Sequence, residues 1–203
     1  MGRIIHEFEQ NSDEWYAARL GKMTASMFKD VMAKGQGKSR HSYMLQIAAE
    51  RLSGLPQESF TNAAMERGTE QEPFAIQAYE ADQDCTVRRV GFIELSPWIG
   101  GSPDGLVGDK GGIEVKSPNS TTHLRYILSN KIDSVYVKQV QGNIWLAELD
   151  WMDWISFDPR IPQHPLHIIR VERDDEMIAK IELECELFKQ DTIELMKQIT
   201  GIP

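Results

Sequence analysis

The chain has 203 residues, of which 41% are hydrophobic and 26% charged, a composition typical of a globular domain with its own core. No apolar run approaches the roughly 20 residues that a membrane-spanning helix needs, and the first ten residues lack the apolar centre of a signal peptide. The formal net charge is −9, which argues against a protein that coats nucleic acid over a broad surface. We therefore expect a single domain over residues 1–203, located in the cytoplasm and without a membrane partner.

The charged residues are distributed unevenly. Basic residues are concentrated between residues 19 and 51, whereas the chain from Glu148 onward is acidic. One end of the molecule can therefore face phosphates while the other faces solvent or a protein, although ordinary solvated helix faces give the same pattern. Cys85 and Cys185 form no CxxC pair, so we expect two free thiols and no four-cysteine metal cluster.

Helices are predicted first along the chain. Ser12 followed by two acidic residues is typical of a helix start. Further helices are expected over residues 24–34, 41–53 and 61–82, the last of them interrupted near Gly68 and Pro73.

Strands are predicted next, and helices return afterwards. The expected strands cover residues 85–94, 100–107, 112–116, 151–157 and 166–172, and the expected helices cover residues 119–129, 134–149 and 174–199. The turn at residues 108–111 joins two of these strands in a hairpin. This order predicts an α/β (α+β) domain in which a central mixed β-sheet is flanked by helices.

The segment from Gly101 to Lys116 carries the clearest chemical signal. Asp104 and Glu114 lie across the predicted hairpin, so adjacent strands can bring both carboxylates to one point. Carboxylate oxygens suit a hard ion such as Mg²⁺, with Mn²⁺ as a substitute, and the backbone carbonyl of Val115 can add a further oxygen.

Lys116 follows Glu114 by two residues, so both side chains leave the same face of the strand. A lysine in this position can orient an attacking water and stabilise its deprotonated form. Taken singly, Pro-Asp-Gly is a common turn and Glu-Val-Lys an ordinary strand. Their conjunction favours a metal-dependent phosphodiesterase.

These motifs resemble those of the PD-(D/E)XK nuclease superfamily, and the wider pattern is similar to the phage-type exonucleases of the YqaJ or lambda-exonuclease group. The matching residues occur in the same order along nearly the whole chain. They are Glu14-Trp15, Arg19-Leu20-Gly21, Thr24-Ala25-Ser26, Arg67-Gly68, Glu72, Ser102-Pro103-Asp104-Gly105, Glu114-Val115-Lys116, Tyr136, Gln139, Gln141 and Asp158-Pro159-Arg160. The resemblance implies a restriction-endonuclease-like core encoded by a phage or prophage.

The resemblance implies roles for the residues of the cleavage site. Asp104, Glu114 and Val115 would ligate the metal, and Glu72 would complete the site directly or through water. Lys116 would be the catalytic lysine, and Gln139 would support the site. Without the resemblance, Glu72 is an ordinary surface acid and Gln139 a structural residue.

The resemblance also implies a site for the DNA end. Arg19, Ser26 and Ser102 would hold the 5′-phosphate, since arginine binds phosphate bidentately and Thr24 stands at a predicted helix start, where free N–H groups favour an anion. Met65 would wedge the duplex end apart, although a methionine in the core fits the sequence almost equally well. Contacts to the DNA end or backbone without sequence specificity are expected from Thr24, Lys34, Lys38 and Arg40.

The resemblance thus implies a Mg²⁺-dependent exonuclease that degrades one strand of linear double-stranded DNA from the 5′ end and leaves a 3′ single-stranded tail. The resemblance implies a ring of three subunits and a phage single-strand annealing protein as partner. The alternatives are a related endonuclease or RecB-like nuclease of different polarity, and a catalytically silent module that binds DNA ends. A Cas4-like enzyme is disfavoured because the cysteines for its cluster are missing.

His164 and His167 have the spacing of metal ligands, but with Pro165 between them a solvated or hydrogen-bonded pair is the better interpretation. Trp145, Trp151 and Trp154 could stack on bases, but their apolar neighbours favour core packing.

Overall fold

The computed structural model describes residues 2–33, 38–57 and 63–201, and only the backbone of residues 63–65. The first half of the chain contains β1 (Ile4–His6), α1 (Asp13–Arg19), β2 (Met23–Thr24), α2 (Phe28–Val31), α3 (Lys38–Ser53) and α4 (Ala63–Gln83). As the sequence predicts, the Ser12 side chain caps α1 by accepting a hydrogen bond from the Trp15 backbone N–H.

The second half alternates strands and helices. It contains β3 (Val87–Arg88), β4 (Phe92–Ser96), β5 (Ile99–Gly101), β6 (Gly105–Val107), β7 (Gly111–Lys116), α5 (Ser120–Ser129), α6 (Ser134–Ala147), β8 (Trp151–Phe157), β9 (Leu166–Glu172) and α7 (Asp175–Thr200). The hairpin turn between β6 and β7, the last two strands and the last three helices are confirmed to within two residues.

The strands form two mixed sheets where the sequence predicted one. A four-stranded sheet has the order β1-β4-β5-β2, and a five-stranded sheet has the order β3-β6-β7-β8-β9. The single strand predicted over residues 100–107 is therefore wrong, because β5 and β6 belong to different sheets. The single strand predicted over residues 85–94 is wrong for the same reason, because β3 and β4 belong to different sheets. The chain crosses between them at Gly91, whose N–H donates to the His6 carbonyl. A Cβ at this position would lie 2.2 Å from the backbone oxygen of Phe8, so only glycine fits the crossing.

Two helix predictions also need correction. The helix expected over residues 24–34 is replaced by β2, a 3₁₀ turn over Ala25–Met27 and the four-residue α2. Met23 and Thr24 pair in parallel with β5, so strand pairing overrides the local helical pattern. The interruption expected near Gly68 and Pro73 is absent from the described part of α4, which continues through Pro73.

The five-stranded sheet separates two hydrophobic cores. The larger one packs residues of α2, α3, α6 and α7 against one face, with Trp154 fully buried at its centre. The smaller one packs α4 against the other face and takes Ile113 and Val115 from β7. Since side chains alternate along a strand, Glu114 and Lys116 point to the opposite face from Ile113 and Val115, towards α6.

Core packing is the outcome for two of the three tryptophans: Trp145 and Trp154 are buried, whereas Trp151 stays half-buried beneath the Arg170 guanidinium. In the described ranges, no helix combines the length and the apolar character needed to cross a bilayer.

Candidate active site

The β6–β7 hairpin brings Asp104 and Glu114 together. Gly105 pairs with Ile113 in the antiparallel register, so Asp104, one residue earlier, stands opposite Glu114. The Val115 backbone N–H donates to Asp104 Oδ2 at 2.6 Å. Asp104 is 9% exposed and Glu114 only 1%, so the two carboxylates form a largely buried acidic centre at the end of the hairpin.

Three donors converge on the Glu114 carboxylate. Lys116 Nζ and Gln139 Nε2 donate to Oε1 at 2.6 and 2.5 Å, and Asn143 Nδ2 donates to Oε2 at 3.0 Å. Gln139 and Asn143 lie four residues apart, on the same face of α6. Lys116 and Gln139 thus both contact Glu114, and the roles inferred for them stay predictions. Asn143 was missed by the sequence analysis, although its helical spacing from Gln139 was a usable signal.

Burial controls the electrostatics of this centre. Desolvation raises the pKa of Asp104. It also raises the pKa of Glu114 to about 7, against the opposing effect of Lys116 and with a further upward contribution from Asp104. Burial alone would lower the pKa of Lys116, but the two carboxylates outweigh it and raise that pKa. Lys116 therefore remains an ammonium beside carboxylates that repel one another.

Glu72 approaches the same centre from α4. Burial and the negative charge of Asp104 raise its pKa to about 7. Arg89 opposes this shift by donating from Nη2 to Glu72 Oε1 at 2.5 Å. Glu72 is therefore close enough to Asp104 for their charges to interact, and in this structure it is bound by an arginine that the sequence analysis did not single out.

The donors present fit a hard divalent cation. Among the described residues, no three His, Cys, Asp or Glu side chains converge closely enough to form a metal site by themselves. Mg²⁺ is usually held by one or two carboxylates and completes its coordination with waters and substrate phosphates. Asp104 and Glu114 match that pattern. They offer only oxygen atoms as ligands, and their negative charges repel one another. Glu72 is near enough to influence Asp104 electrostatically.

A second polar site lies beside the first. The Arg19 guanidinium stacks on the Trp15 ring at 4.0 Å and reaches Ser102 Oγ at 3.4 Å, while Trp15 Nε1 donates to the same oxygen at 2.9 Å. Burial lowers the pKa of Arg19. Within the ranges that the structure describes, no carboxylate forms an ion pair with Arg19. Glu50 acts on Arg19 electrostatically from beyond ion-pair distance. The desolvated guanidinium therefore keeps donors that are suited to binding an external anion.

Thr24 and Ser26 lie next to this pocket. Their hydroxyl oxygens are 3.2 Å apart, and β2 pairs Thr24 with Gly100, two residues before Ser102. The helix start expected here is only a three-residue 3₁₀ turn, so hydroxyl groups and Arg19, rather than a helix N-terminus, are the groups available for an anion.

The remaining residues expected to contact the DNA end or backbone differ in their surroundings. Lys38 is exposed at the first residue of α3. Arg40 donates to Asp191 at 2.8 Å and lies over the Phe188 ring, so α7 already occupies its guanidinium. Lys34 and the Met65 side chain lie outside the described residues.

Known proteins resemble this chain in sequence and in fold. A family model described as a YqaJ-like viral recombinase domain matches residues 14–150. An alkaline exonuclease (LHK-Exo) from Laribacter hongkongensis, solved alone and in complex with dAMP, is 40% identical with a TM-score of 0.88, over 94% of this chain and 97% of that chain.

Two more distant relatives add less. A phage-related exonuclease from Haemophilus somnus 129PT has a TM-score of 0.67 at 17% identity, over 88% of this chain and 96% of its own, and it shares the fold. The uncharacterised protein ExoD of Escherichia coli (strain K12) is 28% identical over 68 residues, or 34% of this chain and 78% of that protein. The family model matches residues 14–150, and the Laribacter exonuclease covers 94% of this chain. The acidic hairpin lies inside the segment that the family model spans. The chain therefore belongs to the family of YqaJ-like viral recombinase domains.

Proposed function

We propose that this chain is a Mg²⁺-dependent exonuclease that digests one strand of linear double-stranded DNA from its 5′ end and leaves a 3′ single-stranded tail. The observation that carries the proposal is the buried centre in which Lys116 and α6 hold Glu114 beside Asp104. Family membership and the likeness to an alkaline exonuclease support a nuclease that acts in phage-type recombination. The complex of that relative with dAMP supports a site that accepts nucleotides.

The chemistry would divide among a few residues. Asp104 and Glu114 would hold the cation, assisted by the Val115 carbonyl and by Glu72. Bound there, Mg²⁺ would offset the charge that develops on the scissile phosphate and lower the pKa of a water molecule. Lys116, charged and pointing into the site, would orient the attacking water. Gln139 and Asn143 would fix the Glu114 carboxylate, which limits the reorganisation needed during the reaction.

The direction of digestion would depend on the second pocket. Arg19, Ser102 and Ser26 would bind the 5′-phosphate of the DNA end and so select which strand enters the acidic centre. The net charge of −9 suits a protein that encloses DNA in an interior channel, and a homotrimeric ring would provide one. The family resemblance supports this ring, a phage single-strand annealing protein as partner, and the cytoplasm of a bacterial host as the location.

Strand-resolved digestion tests this function. A linear duplex labelled at one end at a time, with and without 5′-phosphates, is incubated with Mg²⁺, Mn²⁺ or EDTA beside a closed circular DNA. We expect loss of the 5′-ended strand from phosphorylated ends with either metal, and intact circles throughout. Cleavage of closed circles would instead support an endonuclease, and loss of the 3′-ended strand would reverse the proposed polarity.

Lys116→Ala separates chemistry from binding. It should abolish cleavage and retain binding of linear duplex DNA, because the lysine acts on the reacting water. Lys110→Ala is the matched control: it removes the same charge from the same hairpin, at an exposed turn. A Lys116→Ala protein with wild-type cleavage would refute the mechanism. Wild-type behaviour in Asp104→Ala would favour a silent module that only binds DNA ends.

A further inference from the structure

Arg89 occupies a special position at the edge of the acidic centre. β3 pairs with β6 so that Arg88 lies opposite Leu106. Arg89 is the next residue, and the register carries it towards Gly105 and Asp104. The side chain accordingly influences both carboxylates electrostatically: it acts against the rise in the pKa of Glu72 and of Asp104. Arg89 is thus a cation placed beside the proposed cleavage site by the sheet itself.

The guanidinium of Arg89 is only partly used. It carries five N–H donors, and one of its nitrogens, Nη2, contacts Glu72 at 2.5 Å. In the described part of the chain no other hydrogen bond to an acceptor engages it, and 46% of the side chain is exposed, against 23% for Glu72. Most of its N–H donors are therefore without a protein acceptor in the described structure, and the half-exposed side chain is accessible to a DNA strand.

A divalent cation would change this pairing. Glu72 can turn its lone pairs either to Arg89 or towards a cation, whereas Arg89 has no lone pair to offer a metal. When a cation attracts Glu72, the guanidinium loses its counter-ion at the mouth of the site. A phosphate diester is the anion that the proposed substrate brings to that place, and the planar fork of arginine matches phosphate oxygens.

We propose that Arg89 is a phosphate-binding residue of the cleavage site, paired with Glu72 until metal and DNA enter. This inference rests on the proposed function, and it adds a residue that contacts the substrate near the cleaved bond. The competing interpretation is a structural ion pair whose sole effect is to neutralise Glu72. The two interpretations differ in what removal of the guanidinium does to DNA binding.

Arg88 provides a matched control. It is adjacent to Arg89, similarly exposed at 54%, and its partner is Glu7 at 3.3 Å rather than a residue of the acidic centre. Arg88→Ala and Arg89→Ala therefore remove the same charge from neighbouring positions. Both side chains are about half exposed, and thermal unfolding checks that each variant folds.

The test measures two equilibria on the full chain without relying on turnover. A 5′-phosphorylated duplex is titrated with protein in Ca²⁺ at several salt concentrations, and Mn²⁺ binding without DNA is measured by calorimetry. For Arg89→Ala we expect DNA binding weaker by about ten-fold, since hydrogen bonds to charged groups contribute on this scale. The slope of log K against log salt should fall by about 0.9, the value for one lost phosphate contact. Mn²⁺ binding should be unchanged or tighter. Arg89→Lys should restore only part of the DNA affinity, because it keeps the charge and loses the fork.

Three results would overturn the proposal: wild-type DNA affinity in Arg89→Ala, an equal loss in Arg88→Ala, or weaker Mn²⁺ binding in Arg89→Ala. The failure of the proposed function would look different. In that case the wild-type protein itself would leave linear DNA uncut with Mg²⁺ or Mn²⁺, whatever the behaviour of the Arg89 variants.

Discussion

Asn143 allows a sharp test of how the acidic centre is held, because stability and activity should respond differently to its loss. Asn143 is 1% exposed and donates to Glu114 Oε2 at 3.0 Å, while its own Oδ1 has no hydrogen-bond partner in the described structure. Asn143→Ala removes a hydrogen bond to a charged group, which contributes about 1.5–3 kcal/mol. It also removes a buried unpaired oxygen, whose burial costs about 1–3 kcal/mol.

These two contributions have opposite signs, so the free energy of unfolding should change by only about 1 kcal/mol. For a chain of 150–250 residues this corresponds to a change in Tm of about 2–4 °C. Under the proposed function, activity should fall much further, by about 10–100-fold, as is usual for groups that orient a metal-binding carboxylate. The assays are thermal unfolding without metal and initial rates on a 5′-phosphorylated duplex over a range of Mg²⁺ concentrations.

Gln141 is the matched control on the same helix. It is 2% exposed, its Nε2 donates to the Glu172 carbonyl at 2.8 Å, and its Oε1 accepts from the Asp174 N–H at 2.9 Å. Gln141→Ala leaves both backbone groups without their partner, so we expect a loss of about 2 kcal/mol and a fully active folded fraction. If Asn143→Ala lowered Tm as much as Gln141→Ala and kept full activity, the positioning role of Asn143 would be refuted.

Two further predictions concern other parts of the molecule. Arg19→Ala should reduce the rate of cleavage of 5′-phosphorylated ends to that of unphosphorylated ends, measured on paired substrates. If the preference for phosphorylated ends were preserved, Arg19 would not be a residue that binds the 5′-phosphate. Asp158 is fully buried and paired with Arg160 at 2.7 Å. Burial alone would raise the pKa of Asp158, but the hydrogen bonds from Arg160 lower this pKa from its ordinary value of 3.8 to about 2. Its contribution to stability is therefore present above pH 3.8 and is lost as the pH falls towards 2. Asp158→Asn should cost about 1–2 kcal/mol at pH 7 and much less at pH 2.5 in urea unfolding, and an equal cost at both pH values would contradict the pairing.

The elements that could be predicted are those whose pattern is local. Strands β8 and β9 and helices α5, α6 and α7 carry clear periodicities, and their bounds follow from them. The placement of Asp104 opposite Glu114 was also predictable, because one tight turn fixes the register of the hairpin. Lys116 followed from the two-residue period of the strand.

The features that escaped prediction depend on distant pairing. Residues 85–94 have the sequence pattern of one strand, and the crossing at Gly91 follows only from the pairing of β3 and β4 in different sheets. Met23 and Thr24 extend as a strand because β5 offers them a partner. Arg89 reaches the acidic centre through the pairing of β3 with β6, and nothing in its local sequence separates it from Arg88. Arg40, expected at the DNA backbone, is occupied by a partner on α7, 151 residues away along the chain.

The proposed 5′-phosphate pocket and the acidic centre lie on one continuous segment of the chain. Only Pro103 separates Ser102, which contacts Arg19, from Asp104 of the acidic centre. Proline restricts its own backbone, and the Pro103 carbonyl accepts from Gln10 Nε2 at 3.1 Å, so the segment is held firmly. Three consecutive residues place the outer two Cα atoms at most about 7 Å apart. Under the proposed function, the pocket for the end phosphate and the cleavage site are therefore linked by one short segment of backbone. A shift of Ser102 would therefore disturb end recognition and cleavage together.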